Sequence, residues 1–243
     1  MDKKKNLLLV HGAAHDSSCW DLMIPLLEEQ GYRVHTLTLS GHGNNKKSHF
    51  RVSVNTYAQD ICLKARSIGS PVVLVGHSLG GASISMAAEK CPELFSQLVY
   101  LTAIVPDDRG RSISTNSKKI TNDNMEKAGK ISLLNGSVFY SPDKVAEYFY
   151  NECSSAVKSK AARQLCAQPI RPFLSRLKWT EANLGSIEKY YIECTLDHCI
   201  YIDAQRGMQN NMEFAKIASL NADHSPFLSM PDKLANCITE LVG

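Results

Sequence analysis

The run Val72-Val73-Leu74-Val75 leads without a break into Gly76-His77-Ser78-Leu79-Gly80-Gly81, and Ala82 to Lys90 follows at once. A short β-branched run bounded by glycines reads as a buried strand, and the segment after it reads as a helix. The chain thus turns from strand to helix with a serine at the apex. Such a turn strains the serine backbone, so flanking residues without side chains are needed to avoid collision. The serine oxygen then stands clear, with a helix N-terminus behind it and the Leu79 N–H aimed where a carbonyl oxygen becomes an oxyanion. Gly-x-Ser-x-Gly by itself is a common pattern and fits an ordinary glycine turn. The strand before it and the helix after it set this one apart.

Around this turn the chain alternates. Strands are expected at Asn6 to Val10, Arg33 to Leu39, Val72 to Val75, Gln97 to Ile104, Tyr190 to Thr195 and Phe214 to Leu220. Helices are expected at Trp20 to Gln30, from an Asn55 cap to Ile68, after the serine turn, at Asp203 to Asn211, and from Pro231 to Val242. Strands alternating with helices imply an α/β fold with a mostly parallel, doubly wound sheet covered on both faces. A length of 243 residues fits one such domain. A net charge of +3 is too small to point to nucleic acid, and no apolar run is long enough to span a membrane. The run Leu7 to Val10 after Lys3-Lys4-Lys5 is too short for a signal peptide. Eight scattered cysteines without an export signal suggest reduced thiols and a cytoplasmic setting. Cys194, His198 and Cys199 match no zinc spacing, so no metal is expected.

The rhythm breaks between about Asp107 and Asn183, where helical patterns at Pro142 to Tyr150 and Ser159 to Cys166 occur without a clear strand. The expected organisation is one domain with a core of residues 1–106 and 184–243 and a helical cap of residues 107–183. Ligands of open α/β sheets bind at the carboxyl ends of the strands, so a cap there would wall the pocket and exclude water.

A nucleophilic serine needs a base, and the base needs an orienting acid. Of eight histidines, His224 follows the last expected strand and precedes the final helix. That is where the base emerges when the chain order runs serine first and histidine last. His77 lies inside the turn, and its side chain should point away from the serine. Asp197 follows the strand Tyr190 to Thr195 and is the favoured acid. Asp107 or Asp108 is the fallback, and Asp203 and Asp223 are weaker competitors. The second oxyanion donor should come from the loop after the first strand, His11-Gly12-Ala13-Ala14. There Gly12 permits close backbone approach and the Ala13 N–H points inward.

Taken together, Leu9-Val10-His11-Gly12-Ala13-Ala14, Cys19-Trp20, Gly76 to Gly81, Tyr191 to Asp197, Gln205 and Asp223-His224-Ser225-Pro226-Phe227 resemble the α/β-hydrolase superfamily. Within it they are similar to the branch of plant methyl esterases, hydroxynitrile lyases and bacterial relatives. The likeness runs from first strand to last helix and is weakest in the cap. It implies an α/β-hydrolase fold with Ser78 as nucleophile, His224 as base, Asp197 as acid and the N–H groups of Ala13 and Leu79 as oxyanion hole, with no cofactor. The lyases of this branch carry a threonine in the oxyanion loop and a lysine directly after the histidine; here Gly12 and Ser225 stand in those places. The expected activity is therefore hydrolysis of a small carboxylic ester. The alternative is a non-hydrolytic proton transfer on the same scaffold, such as a cyclase or lyase step. A small-molecule substrate is the expected partner, and a homodimer is allowed.

Overall fold

A parallel six-stranded sheet organises the computed structural model, which describes residues 4–107, 109–113 and 127–243. In chain order come β1 (Asn6–Val10), α1 (Met23–Glu29), β2 (Arg33–Leu37), α2 (Val54–Ile68), β3 (Val72–His77), α3 (Leu79–Lys90) and β4 (Phe95–Leu101). Next come β5 (Gly129–Ser132), β6 (Ser137–Tyr140), α4 (Pro142–Phe149), α5 (Ser155–Gln164) and β7 (Gln168–Pro169). The chain closes with β8 (Glu188–Cys194), α6 (Ile202–Gln209), β9 (Lys216–Leu220) and α7 (Pro231–Val242). The sheet order is β2-β1-β3-β4-β8-β9. Its winding reverses between β1 and β3, and the crevice beyond their carboxyl ends is where an open α/β sheet receives its ligand.

The alternation of side chains along a strand divides the core into two layers. Leu8, Val10, Val72, Leu74, Leu98 and Tyr100 face α2 and α3, where Tyr57, Ile61 and Ile84 cover them. Leu7, Leu9, Val73, Val75, Val99 and Leu101 face the opposite way, onto Trp20, Met23 and Leu27 and onto Leu234 and Ile238 of α7. Both faces being apolar, the strands read as continuous hydrophobic runs, as parallel strands do.

Beyond shifts of a few residues at element ends, two expectations change. The cap of α2 is Ser53, not Asn55. The Ser53 hydroxyl accepts the Thr56 N–H, and the Thr56 hydroxyl accepts the Ser53 N–H in return, a reciprocal pair that starts the helix two residues earlier. The segment between β4 and β8 is not purely helical: β5, β6 and β7 form a small antiparallel sheet there, alongside α4 and α5. The segment returns to the core through Glu89 at the end of α3. That carboxylate accepts the N–H groups of Thr180 and Leu184 and the side-chain amide of Asn183. Among the described residues, no helix is long and apolar enough to cross a membrane.

Candidate active site

The turn after β3 puts Ser78 at φ 53° and ψ −121°, a left-handed conformation that a residue with a side chain adopts only under constraint. Three bonds supply that constraint: the Ser78 N–H donates to Leu101 O, and Ser78 O accepts the N–H groups of Gly81 and Ile104. A Cβ at Gly80 would lie 2.7 Å from Val10 O, so only glycine lets the start of α3 press against the end of β1.

Asp197 lies in the turn after β8 and His224 in the turn after β9, both buried. His224 Nε2 is 3.0 Å from Ser78 Oγ, and His224 Nδ1 is 2.6 Å from Asp197 Oδ2. The carboxylate can only accept, so Nδ1 carries a proton and Nε2 is left to take one from the serine. Burial by itself pushes the His224 ring down; the Asp197 carboxylate overrides it and holds the ring well above the ordinary histidine value. The other Asp197 oxygen accepts the N–H groups of Cys199 and Ile200 at 2.7 and 2.8 Å, so the acid is fixed by its own turn.

The competing acids are engaged elsewhere. Asp107 accepts from the Arg111 side chain and from the Arg109 N–H. Asp223 accepts the N–H groups of Ser225 and Glu152 and the Ser229 hydroxyl. Asp203 lies in the first turn of α6. Asp108 lies outside the described residues.

The loop after β1 is held peptide by peptide. His11 Nε2 accepts the Leu39 N–H, so its Nδ1 carries the proton and donates to Gly12 O at 2.8 Å. His15 Nδ1 lies 2.8 Å from Ala13 O and donates to it. Ala14, at φ 59°, donates its N–H to Gln168 Oε1 and accepts from the Cys166 N–H. These bonds fix the peptide planes on either side of Ala13, whose N–H is the expected oxyanion donor. A Cβ at Gly12 would meet His77 Nδ1 and Ser78 Cβ, each at 2.8 Å, which shows how closely the loop approaches the serine. Leu79 is the first residue of α3, where backbone N–H groups lack helical acceptors.

Several neighbours were not legible in the sequence. The His77 ring lies edge-on to Trp20 and Phe227, and its Nε2 lies 2.7 Å from His224 O. The insertion sends Phe149 against the rings of His15 and His224, and the Tyr150 hydroxyl to His15 Nε2 at 2.8 Å. Gln168, fully buried, also receives His42 Nε2 on the oxygen that binds Ala14. The Thr102 hydroxyl, at the end of β4, reaches Asp197 Oδ2. No local pattern marks such long-range partners. The signal available was His-Gly after the first strand, which announces the loop but not its supports. Burial pushes His11 and His77 well below the ordinary value and His15 down to about 4, so these rings are neutral around the site. Among the described residues, no group of three His, Cys, Asp or Glu side chains is arranged to hold a metal ion.

The structure thus gathers a serine on a strand–helix turn, a histidine and a carboxylate after later strands, and a clamped loop after the first strand. Residues 7–236 match the alpha/beta hydrolase family, and the chain belongs to that family. It is 32% identical over 247 residues to the putative methylesterase 11, chloroplastic, of Arabidopsis thaliana, an alignment covering 97% of this chain and 63% of that protein's length. It is 30% identical over 266 residues to the pyrethroid hydrolase of Sphingobium wenxiniae, covering 97% of this chain and 86% of that one. The crystal structure of polyneuridine aldehyde esterase superposes with a TM-score of 0.88 at 25% identity, covering 99% of this chain and all of that one. These relatives agree with the sequence's resemblance to the methyl esterase-like branch.

Proposed function

We propose that the protein hydrolyses a small carboxylic ester through an acyl-enzyme. The observation that carries this reading is the continuous path from Ser78 Oγ to His224 Nε2 at 3.0 Å and from His224 Nδ1 to Asp197 Oδ2 at 2.6 Å. In the first half-reaction Ser78 Oγ attacks the ester carbonyl carbon while His224 Nε2 takes the hydroxyl proton. The carbonyl oxygen becomes an oxyanion, which the N–H groups of Ala13 and Leu79 receive. The tetrahedral adduct collapses, the C–O bond to the alcohol breaks, and His224 returns the proton to the departing oxygen. Water then repeats the sequence against the acyl-enzyme, releasing the acid and restoring Ser78.

Segment 107–183 serves in this reading as the cap, since Phe149, Tyr150 and Gln168 reach His224, His15 and the oxyanion loop. The names of the relatives support ester substrates. Neither Gly12 nor Ser225 offers the charge that cyanide release would require. All eight cysteines are thiols, which supports a cytoplasmic setting.

The test is a panel of short acyl and aryl esters, read by product analysis, together with labelling by a fluorophosphonate. The expected result is release of acid and alcohol and a mass increase on Ser78. Labelling without ester turnover, or a product formed without addition of water, would replace this reading with the proton-transfer alternative.

A further inference from the structure

Thr102 stands where a threonine is costly. It directly follows β4, is fully buried, and has φ 36°, in the region that β-branched residues avoid most strongly. Its N–H still continues the sheet, donating to Ile192 O at 2.8 Å. Its hydroxyl is 2.5 Å from Asp197 Oδ2. The carboxylate only accepts, so the threonine donates. Asp197 thereby has four donors: the backbone of Cys199 and Ile200 on Oδ1, and Thr102 and His224 on Oδ2. The first two come from the acid's own turn. Thr102 comes from the end of the neighbouring strand and, together with His224, holds Oδ2 against rotation about the hinge those two define.

We propose that Thr102 is a positioning residue for the acid: it holds Asp197 Oδ2 on His224 Nδ1 and shares the charge of that oxygen. This rests on the hydrolase reading above and deepens it. A strained backbone kept at a site where only a hydroxyl is used points to such a role. The sharing has a definite sign. A hydrogen bond from Thr102 withdraws negative charge from the oxygen facing the ring; without it, more charge is available to stabilise the imidazolium. The other titratable groups facing this pair are His77 and His15 beside the ring, Cys199 in the acid's turn, Cys194 and Tyr191 on β8, and Asp223 next in the chain. None of them donates to Oδ2.

The experiment compares Thr102→Val, which keeps the shape and removes the donor, with Thr102→Ser, which keeps the donor. The valine variant should lose about tenfold in kcat with KM little changed, as expected for one hydrogen bond to a charged group. The acid limb of its pH–rate profile should move up by about half a unit or more. The serine variant should retain the wild-type limb. Thr102→Ala carries the same expectations as valine if valine prevents folding. A variant without the hydroxyl that has wild-type kcat and an unmoved limb overturns the proposal, as does a loss of kcat with no movement of the limb. The downfield proton resonance of His224 Nδ1, followed against pH in wild type and variant, reads the same titration without turnover. If wild type neither labels nor turns over ester, the hydrolase reading fails, while a shift of that resonance on removing the hydroxyl still upholds the link from Thr102 to Asp197, and an unmoved resonance rejects it.

Discussion

His77 Nε2 donates to the carbonyl oxygen of His224 at 2.7 Å, so the residue before the serine grips the backbone of the base. A carbonyl only accepts, which fixes the proton on Nε2 and leaves Nδ1 as a buried lone pair with no partner among the described residues. The bond joins the last residue of β3 to the turn after β9 and sets the distance that Ser78 and His224 must bridge. Replacing His77 by phenylalanine keeps a ring beside Trp20 and Phe227 but removes the bond. A fall in kcat of about tenfold is expected, the effect of one lost buried hydrogen bond. An unchanged kcat would show that the base is positioned without it.

Ser78→Ala should fold normally and lose at least about 10⁴-fold in ester turnover, with fluorophosphonate labelling abolished. The measurement is kcat/KM beside a thermal melt. Near-normal turnover would remove Ser78 from the mechanism.

Asp197→Asn should cost roughly 10³- to 10⁴-fold in kcat. An amide can present its NH₂ to Nδ1, which turns the imidazole to the tautomer with its proton on Nε2, unable to accept from Ser78. The same substitution at Asp107, whose carboxylate is taken by Arg111, should leave kcat within about threefold. A larger loss at Asp107 than at Asp197 would reverse the assignment.

The acid limb of the pH–rate profile should lie above the ordinary histidine value of 6.5, because Asp197 raises the folded-state affinity of His224 for a proton. The base must be neutral, so a raised value moves the loss of activity to higher pH. The sequence alone suggests a fall below about pH 6, from an unperturbed imidazole; the buried pair corrects it upward. A limb well below 6.5 would mean that burial outweighs the carboxylate.

Stability has the opposite sign for the neighbouring rings. Burial lowers His11, His15, His42 and His77, with His15 near 4. The unfolded chain therefore takes up protons on these histidines from about pH 6.5 downward, before the folded chain does. Their contribution is complete above that pH and is lost as pH falls toward 4. His224 acts the other way, contributing below its unfolded value and losing that contribution as pH rises, but it is one ring against four. The urea midpoint should be lower at about pH 5 than at about pH 7. Equal midpoints would show that the rings are charged when folded.

The parts of the fold that could be read from the sequence are those governed by neighbouring residues. The run Val72 to Val75, the glycines and the following helix appear as β3, the turn and α3, because period and turn chemistry are local. Asp197 and His224 could be singled out because each lies in the turn after a strand. The strands of the insertion were not readable: they are two to four residues long, and the shortest contains Pro169. Thr102 and Gln168 escaped for another reason. Their partners lie 95 and 154 residues away in the chain, and nothing near either residue announces a buried bond at that range.

The crowding at Gly12 also ties that position to residue 77. A methyl group there would collide with His77 Nδ1 and Ser78 Cβ, each at 2.8 Å, and the serine carbon cannot be removed without losing the nucleophile. The His77 ring is then the neighbour that must yield, unless the loop itself shifts, and that ring also holds the carbonyl of His224. Positions 12 and 77 are therefore coupled: bulk added at the first is felt at the second, and through it at the histidine beside Ser78.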